Sequence, residues 1–174
     1  LIFTNRRGLE LQGGVDNKIF FYTNILETQS YFQSYIHERI QGANAIPGVG
    51  LYKYPVRSRI FGTEEAYDFL QSEGYVGFNV TSHVGVQLGH GRNFIGNGYR
   101  SLFLSDWGNS NLFLKLNTRV WKINYQNLFM ELMPQFKKAG DTLLDRKYAA
   151  MHHLDVSVNK WLNIGLFEGV IFGR

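Results

Sequence analysis

The residues most suggestive of chemistry lie in one glycine-rich stretch, GHGRNFIGNGYRSLFLSD, which runs from residue 89 to residue 106. Its glycines have the spacing of a phosphate-binding loop, but Asn97 and Gly98 stand where such a loop has lysine and serine or threonine. Without those two side chains, a nucleotide phosphate loses its cation and a bound metal ion loses a ligand. The segment YRSLFLSD predicts a strand, so no helix N-terminus would face the phosphate. Nucleotide binding is therefore not expected, and the glycines are interpreted as a bend between strands.

Five polar side chains of the same stretch are candidate ligand-binding groups. Amides pair with sugar hydroxyls, and guanidinium groups bind acidic sugars or form ion pairs inside a fold. The five are His90, Arg92, Asn93, Asn97 and Arg100. Both roles, glycan contact and internal ion pairing, remain open for them.

A second group of residues has the types that hydrolysis requires. His153 and Asp155 share one face of a predicted strand, as a general base and its orienting carboxylate would. No nucleophile accompanies them, so a hydrolase using His153, Asp155 or Glu168 is kept only as the least favoured alternative. His152 and His153 are adjacent, face opposite ways on a strand, and cannot chelate one metal ion together. The sequence predicts no catalytic residue, no metal site and no cofactor.

The composition is typical of a β-protein. Aromatic residues make up 16% of the chain and charged residues only 18%, below the roughly 25% charged residues of ordinary soluble domains. With 19 glycines and 3 prolines, this balance is common in β-barrels that carry aromatic girdles. The net charge is +4, and the basic residues are scattered along the chain without forming a cluster. No nucleic-acid partner is therefore expected. The chain has no cysteine, which excludes disulfides and thiolate metal sites.

Alternation of apolar and polar residues predicts strands through most of the chain. Residues 76–88 alternate almost without a break and predict one strand, long enough for the roughly 9–11 residues of a tilted membrane-spanning strand. The phase of the alternation shifts after Tyr125, which predicts a bulge near Asn127. The segment NKWLN, residues 159–163, predicts a tight hairpin turn.

Residues 28–73 interrupt this pattern and predict a helix-containing excursion. Apolar residues within 28–40 have helical spacing. A second helix is predicted to begin after Thr63 as its N-cap and to end at Gly74. So long an excursion is expected to be functional or to fold back onto the sheet, in a barrel as an inward plug or a surface cap.

The polar positions of the predicted strands distinguish two all-β architectures. A soluble sandwich favours Lys, Glu and Thr at water-facing positions, whereas neutral amides, histidine and glycine suit a crowded lumen. Neutral polar residues or histidines occupy many polar positions of the predicted strands, namely Asn79, His83, Gln87, Asn117, Asn124, Gln126, Ser157 and Asn163. No apolar run is long enough for a membrane-spanning helix. The predicted fold class is therefore all-β: a partial, antiparallel transmembrane β-barrel.

Several segments, taken in order, resemble a known family. They are RRGLELQGGVDNKIFFYTNILETQ, the glycine-rich stretch, NTRVWKINYQNLF and KYAAMHHLDVSVNKWLNIGLFEGVIF. Together they resemble the Wzi-type capsule-assembly outer-membrane proteins, and more closely their RemB-like branch in gliding Gram-negative bacteria. The resemblance spans nearly the whole chain. Its most specific parts are the glycine-rich stretch and the carboxyl-terminal segment.

The resemblance implies a non-enzymatic protein of the bacterial outer membrane that holds or organises capsular polysaccharide or exopolysaccharide, or contributes to surface motility. The implied partners are outer-membrane lipid, capsular polysaccharide or exopolysaccharide, and other envelope proteins. Family members are longer and begin with a signal peptide, so residues 1–174 are expected to be one β-barrel domain and a fragment of a longer barrel. No catalytic residue is carried over from the family. From the residues alone, a soluble β-rich carbohydrate-binding module remains the alternative.

Overall fold

The computed structural model describes residues 2–50, 52–58, 63–132 and 146–173, with the backbone alone for 53–58 and 63–65. Within these residues the chain forms one helix and a sheet of nine strands. The elements are β1 (Phe3–Val15), β2 (Ile19–Tyr31), α1 (Ser34–Ala43), β3 (Lys53–Ser58), β4 (Thr63–Asn79), β5 (Val84–Gly91), β6 (Asn111–Val120), β7 (Ile123–Leu132), β8 (Lys147–Asn159) and β9 (Leu162–Gly173). No helix in the described residues is long and apolar enough to cross a membrane.

The sheet is an antiparallel meander in the order β1-β2-β4-β5-β6-β7-β8-β9. One edge of β4 pairs with β2. The opposite edge of β4 pairs with β3 along its first part and with β5 along its last part. The predicted all-β, antiparallel fold class is confirmed at this level. The predicted hairpin at NKWLN is also confirmed, because β8 and β9 pair directly on either side of residues 160–161.

The connections differ in length at the two ends of the sheet. At one end, the turns 16–18, 80–83, 121–122 and 160–161 join neighbouring strands. At the other end, the connections are the longer segments 32–62, 92–110 and 133–146. The first of these contains α1 and β3 and confirms that part of the predicted excursion is helical. Residues 133–145 lie outside the described residues.

The pleat and the register divide the strand side chains between two faces. We call the face covered by α1 and by residues 92–110 the inner face, and the opposite one the outer face. The outer face is mainly apolar, with Leu9, Leu11, Ile19, Phe21, Ile25, Leu70, Val76, Phe78, Val86, Leu88, Leu112, Leu114, Leu116, Ile123, Tyr125, Phe129, Leu154, Val156, Ile164, Leu166, Val170 and Phe172. Every polar residue predicted to face a lumen lies on the inner face except His83, which lies in the 80–83 turn.

Two apolar clusters cover parts of the inner face. In the first, Ile95 and Leu104 of the 92–110 segment pack on buried side chains of β6, β7 and β8, namely Phe113, Leu128, Met130, Ala149 and Met151. In the second, Ile40 of α1 and Ile46 pack on Tyr67 and Phe69 of β4. Burial of these side chains stabilises the placement of both connections, since each buried side chain contributes about 1.5–3 kcal/mol. The expectation that the excursion folds back onto the sheet is confirmed.

Of the two helices predicted within residues 28–73, the first is confirmed in part and the second is wrong. The helix expected over 28–40 begins only at Ser34, because residues 28–31 extend β2 and pair with β1 and β4. The helix expected after Thr63 is instead the first part of β4. There, Tyr67 and Phe69 are buried on the inner face while Leu70 lies on the outer face. Pairing with β2 and β3 outweighs a local sequence that is also compatible with a helix.

Three further predictions are corrected by the strand register. Residues 76–88 form a hairpin, not one strand, and the alternation survives because Val76 lies opposite Leu88 on the same face. The bulge near Asn127 is absent, since β7 pairs continuously with both neighbours. The phase shift arises because Tyr125 belongs to the outer face and Leu128 to the buried part of the inner face. Residues 99–106 form no regular strand and contribute only the bridge between Ile95 and Leu104.

Candidate functional site

A cavity of about 270 Å³ opens on the inner face, and we call it the inner-face cavity. Strands β2, β4, β5 and β6 form its floor, and the beginning of the 92–110 segment forms one wall. Its lining comprises Tyr22, Glu73, Gly74, Tyr75, Gln87, His90, Gly91, Arg92, Asn93, Phe113 and Lys115. Aromatic rings, two amides, a carboxylate and two cationic side chains therefore converge on one small volume.

Two stacked tyrosines form the aromatic part of the cavity. Tyr22 and Tyr75 lie opposite each other in the β2–β4 register, and their ring centroids are 5.5 Å apart at an interplanar angle of 28°. Phe20 supports Tyr75 edge-on at 6.2 Å. On the other side of β4, Gly89 has no room for a side chain, since a Cβ there would lie 2.5 Å from Cβ of Tyr75. The glycine thus allows β5 to approach the platform closely.

An ion pair forms the polar wall. The Nε of Arg92 donates to Oε1 of Glu73 at 2.6 Å, and the hydroxyl of Ser110 donates to the same oxygen at 3.1 Å. Nζ of Lys115 lies 5.4 Å from the ring centroid of Phe113, and among the described residues it has no carboxylate partner. Glu73 contributes one negative charge, and Arg92 and Lys115 contribute two positive charges, so the lining has a formal charge of +1. This charge favours a neutral or anionic ligand.

Asn93 is the most unusual group in the cavity. Only 6% of the residue is exposed, and neither its Nδ2 nor its Oδ1 has a hydrogen-bond partner. A buried amide without partners costs about 1–3 kcal/mol. A bound molecule that offers both a donor and an acceptor, as a sugar hydroxyl does, would satisfy both atoms.

Replacement of Asn93 with leucine is therefore expected to stabilise the protein in the absence of ligand. The nearly isosteric apolar side chain removes the unsatisfied amide, and the free energy of unfolding should rise by about 1–3 kcal/mol. Urea denaturation measures this change. The exposed Asn97 provides the matched control, and N97L should leave the free energy of unfolding nearly unchanged. A loss of stability in N93L would show that the amide has a structural partner.

The structure brings together some of the predicted binding residues and separates others. Arg92 and Asn93 line the inner-face cavity through their position directly after β5. His90 also borders it, but its Nδ1 donates to the carbonyl oxygen of Ser72 at 3.1 Å. Arg100 lies away from the cavity, with its guanidinium carbon 4.6 Å from the ring centroid of Trp107. Asn97 is exposed in the 92–110 segment and does not line the cavity.

Sequence reasoning missed five side chains of the cavity. They are Tyr22, Glu73, Tyr75, Phe113 and Lys115. Glu73 and Tyr75 come to the site because β4 is continuous through residues 63–79, where the sequence predicted a helix that ends at Gly74. Tyr22 and Lys115 lie at alternating strand positions, and that alternation was a usable signal for a shared inner face.

The residues of the hydrolase alternative do not converge. His153 and Asp155 lie on the inner face, where the His153 ring is 6.2 Å from that of Phe103. Glu168 lies opposite His152 on the outer face. Within residues 2–50, 52–58, 63–132 and 146–173, no three His, Asp or Glu side chains come together as metal ligands.

In comparisons with known proteins, no family model, curated protein or solved structure matches the chain. The Wzi-type resemblance therefore stays a prediction, and function must be inferred from the two faces of the sheet and the inner-face cavity.

Proposed function

We propose that this chain forms part of an outer-membrane β-barrel whose inner face binds a surface polysaccharide without cleaving it, in the manner of capsule and exopolysaccharide assembly proteins. The observation that carries the proposal is the apolar outer face. Large Leu, Val, Ile and Phe side chains lie exposed there on seven of the eight strands of the meander, and those of β8, Leu154 and Val156, are half-buried. Leu88 and Leu166 are 56% and 63% exposed, respectively.

An exposed apolar face of this extent requires a cover. Contiguous apolar patches on soluble monomers are rarely larger than a few hundred Å². In a membrane barrel, lipid covers an apolar band that alternates along each strand with polar lumen residues. The inner face has the corresponding amides, including Gln87, Asn117 and Gln126. This contrast favours the membrane barrel over the soluble carbohydrate-binding module, which requires a polar exterior.

The ends of the sheet support the same proposal. Bacterial outer-membrane barrels have short turns at the periplasmic end and longer loops at the outer end, and the connections here divide in that way. Two tryptophans, Trp121 and Trp161, lie in hairpin turns and are 84% and 81% exposed. Tryptophan is enriched at the membrane–water interface because its ring is apolar and its N–H is polar. The turn end would then lie at the periplasmic interface.

The inner-face cavity supports the polysaccharide part of the proposal. Sugar rings present apolar faces that stack on aromatic rings, and Tyr22 and Tyr75 offer such a surface. Sugar hydroxyls pair with amides and guanidinium groups, which Asn93 and Arg92 supply. The positive formal charge of the lining favours an acidic polysaccharide among the possible ligands.

Fractionation of the full-length protein tests the membrane part of the proposal. We expect the protein in the outer-membrane fraction, with detergent required for its extraction. Recovery in the soluble fraction without detergent would contradict the barrel and favour the soluble carbohydrate-binding module.

The arginines test the glycan part. Arg92→Gln should weaken binding of the cell's own capsular polysaccharide to the purified protein about tenfold, since a charge-assisted hydrogen bond is lost. Isothermal titration in detergent measures the affinity. Arg100→Gln is the matched control, because Arg100 contacts Trp107 outside the cavity. The affinity of this variant for the polysaccharide should be unchanged.

Tyr75→Leu removes the aromatic ring but keeps an apolar side chain, and it should weaken polysaccharide binding by a similar factor. Equal affinities in all four proteins would contradict glycan binding at this cavity.

A further inference from the structure

Several polar residues lie on the otherwise apolar outer face, among them Ser72, His90, Thr118 and Glu131. Three others lie side by side on neighbouring strands, and we call these three the polar row. Asn127 on β7 lies opposite His152 on β8, and His152 lies opposite Glu168 on β9. The three side chains therefore lie side by side across three neighbouring strands, at one level along the strands.

Apolar side chains surround the polar row on both sides. Towards the turn end, the next outer-face residues are Tyr125, Leu154 and Leu166. Towards the loop end, they are Phe129, Ala150 and Val170. The row therefore lies within the apolar band and not at its rim. Polar and ionisable side chains at such depth are costly in lipid and mark functional surfaces.

The contacts within one chain satisfy only part of the polar row. Nδ1 of His152 donates to Oδ1 of Asn127 at 2.6 Å, which leaves Nε2 directed away from that bond. The rings of Tyr125 and Phe129 hold the imidazole from two sides, at centroid distances of 6.2 Å and 6.1 Å. Glu168 is exposed, and its carboxylate forms no hydrogen bond or ion pair with another described residue.

We propose that the polar row is the contact surface for a second copy of this chain in the membrane. The proposal rests on the proposed function, because it requires the outer face to meet lipid. Every copy inserts in the same orientation, so a two-fold axis between two copies runs along the membrane normal. If that axis passes between β8 and β9, Glu168 of each copy faces His152 of the other at equal depth.

A second copy fits the polar row better than an unrelated partner does, because the row is self-complementary. One row carries both an imidazole and a carboxylate, and a two-fold interface uses the same patch on both subunits. Each dimer would form two reciprocal His–Glu contacts and remove both unpaired carboxylates from lipid. The flanking Leu154 and Leu166 would pack beside the axis.

Cysteine cross-linking in native outer membranes tests this interface. The 174 residues contain no cysteine, so L166C in the full-length protein places a thiol beside the expected axis. Oxidation should give a covalent dimer on a non-reducing gel. L88C is the matched control, because Leu88 is also an exposed outer-face residue but lies on β5, and it should remain monomeric.

Variants of the polar row, combined with L166C, test its chemistry. E168L and H152E should each lower the cross-linked fraction about tenfold, since each removes two reciprocal contacts that involve a charged group. The double variant H152E/E168H exchanges the two side chains and should restore the dimer. This rescue also separates a specific contact from a general folding defect.

Three outcomes would overturn the proposal. A membrane-embedded protein in which L166C gives no dimer would refute the interface and leave the barrel intact. Cross-linking of L166C to a different envelope protein, in place of itself, would assign the row to another partner. Recovery of the protein in the soluble fraction would refute both the interface and the proposed function.

Discussion

In the proposed membrane barrel, replacing Leu88 with arginine is expected to remove most of the assembled protein from the outer membrane. Leu88 lies on the outer face, in the same level of the sheet as Val76 and Leu114. An arginine that faces lipid near the midplane costs about 2–4 kcal/mol, which is a large part of the stability of a typical domain. Heat-modifiability on gels and the amount of protein in the outer-membrane fraction measure the loss.

The adjacent residue supplies the control. Gln87→Arg introduces the same side chain one position away, but on the inner face, where water and polar neighbours can solvate it. Assembly should remain close to that of the unaltered protein. If L88R and Q87R assemble equally well, lipid does not cover the outer face, and a soluble module becomes the better interpretation.

The second large effect concerns the buried side of β7. Leu128→Ala is expected to lower the free energy of unfolding by about 2–5 kcal/mol, as for other fully buried leucines. Leu128 is 0% exposed and lies beneath Ile95 of the 92–110 segment. The cavity left by the missing methyl groups would loosen that segment, so faster proteolysis within 92–110 should accompany the loss. Urea denaturation and limited proteolysis measure the two effects.

Asn117 is the matched control for this prediction. It lies on the inner face of β6, outside the buried cluster. Asn117→Ala should change the free energy of unfolding by no more than about 0.5 kcal/mol. An equally small effect of L128A would mean that the 92–110 segment does not cover β7 in solution.

The sequence predicted the two faces of the sheet better than the ends of its strands. Alternation depends only on the pleat, so residues such as Gln87 and Leu88 are assigned to opposite faces without knowledge of the neighbours. Alternation also continues through the 80–83 turn, so the β4–β5 hairpin was indistinguishable from one long strand. The region from Thr63 was misassigned because strand pairing, which is not local, decides between helix and strand there.

The candidate site was predictable only in part. Arg92 and Asn93 were predicted from their residue types, and both line the inner-face cavity. Tyr22 and Glu73 are far from them in sequence and meet them only through the β2–β4 and β4–β5 register. The buried state of Asn93 depends on how the 92–110 segment folds back, which no local pattern specifies.

The unequal connections also imply an order of folding. Strands joined by the turns 16–18, 80–83, 121–122 and 160–161 can pair as soon as neighbouring residues meet, so these hairpins are expected to form first. Pairing of β2 with β4 must instead close the 32–62 segment, and the entropy of loop closure rises with its length. The β1–β2 hairpin would therefore join the rest of the sheet late. The Tyr22–Tyr75 platform spans that last junction, so ligand binding would report completion of the sheet.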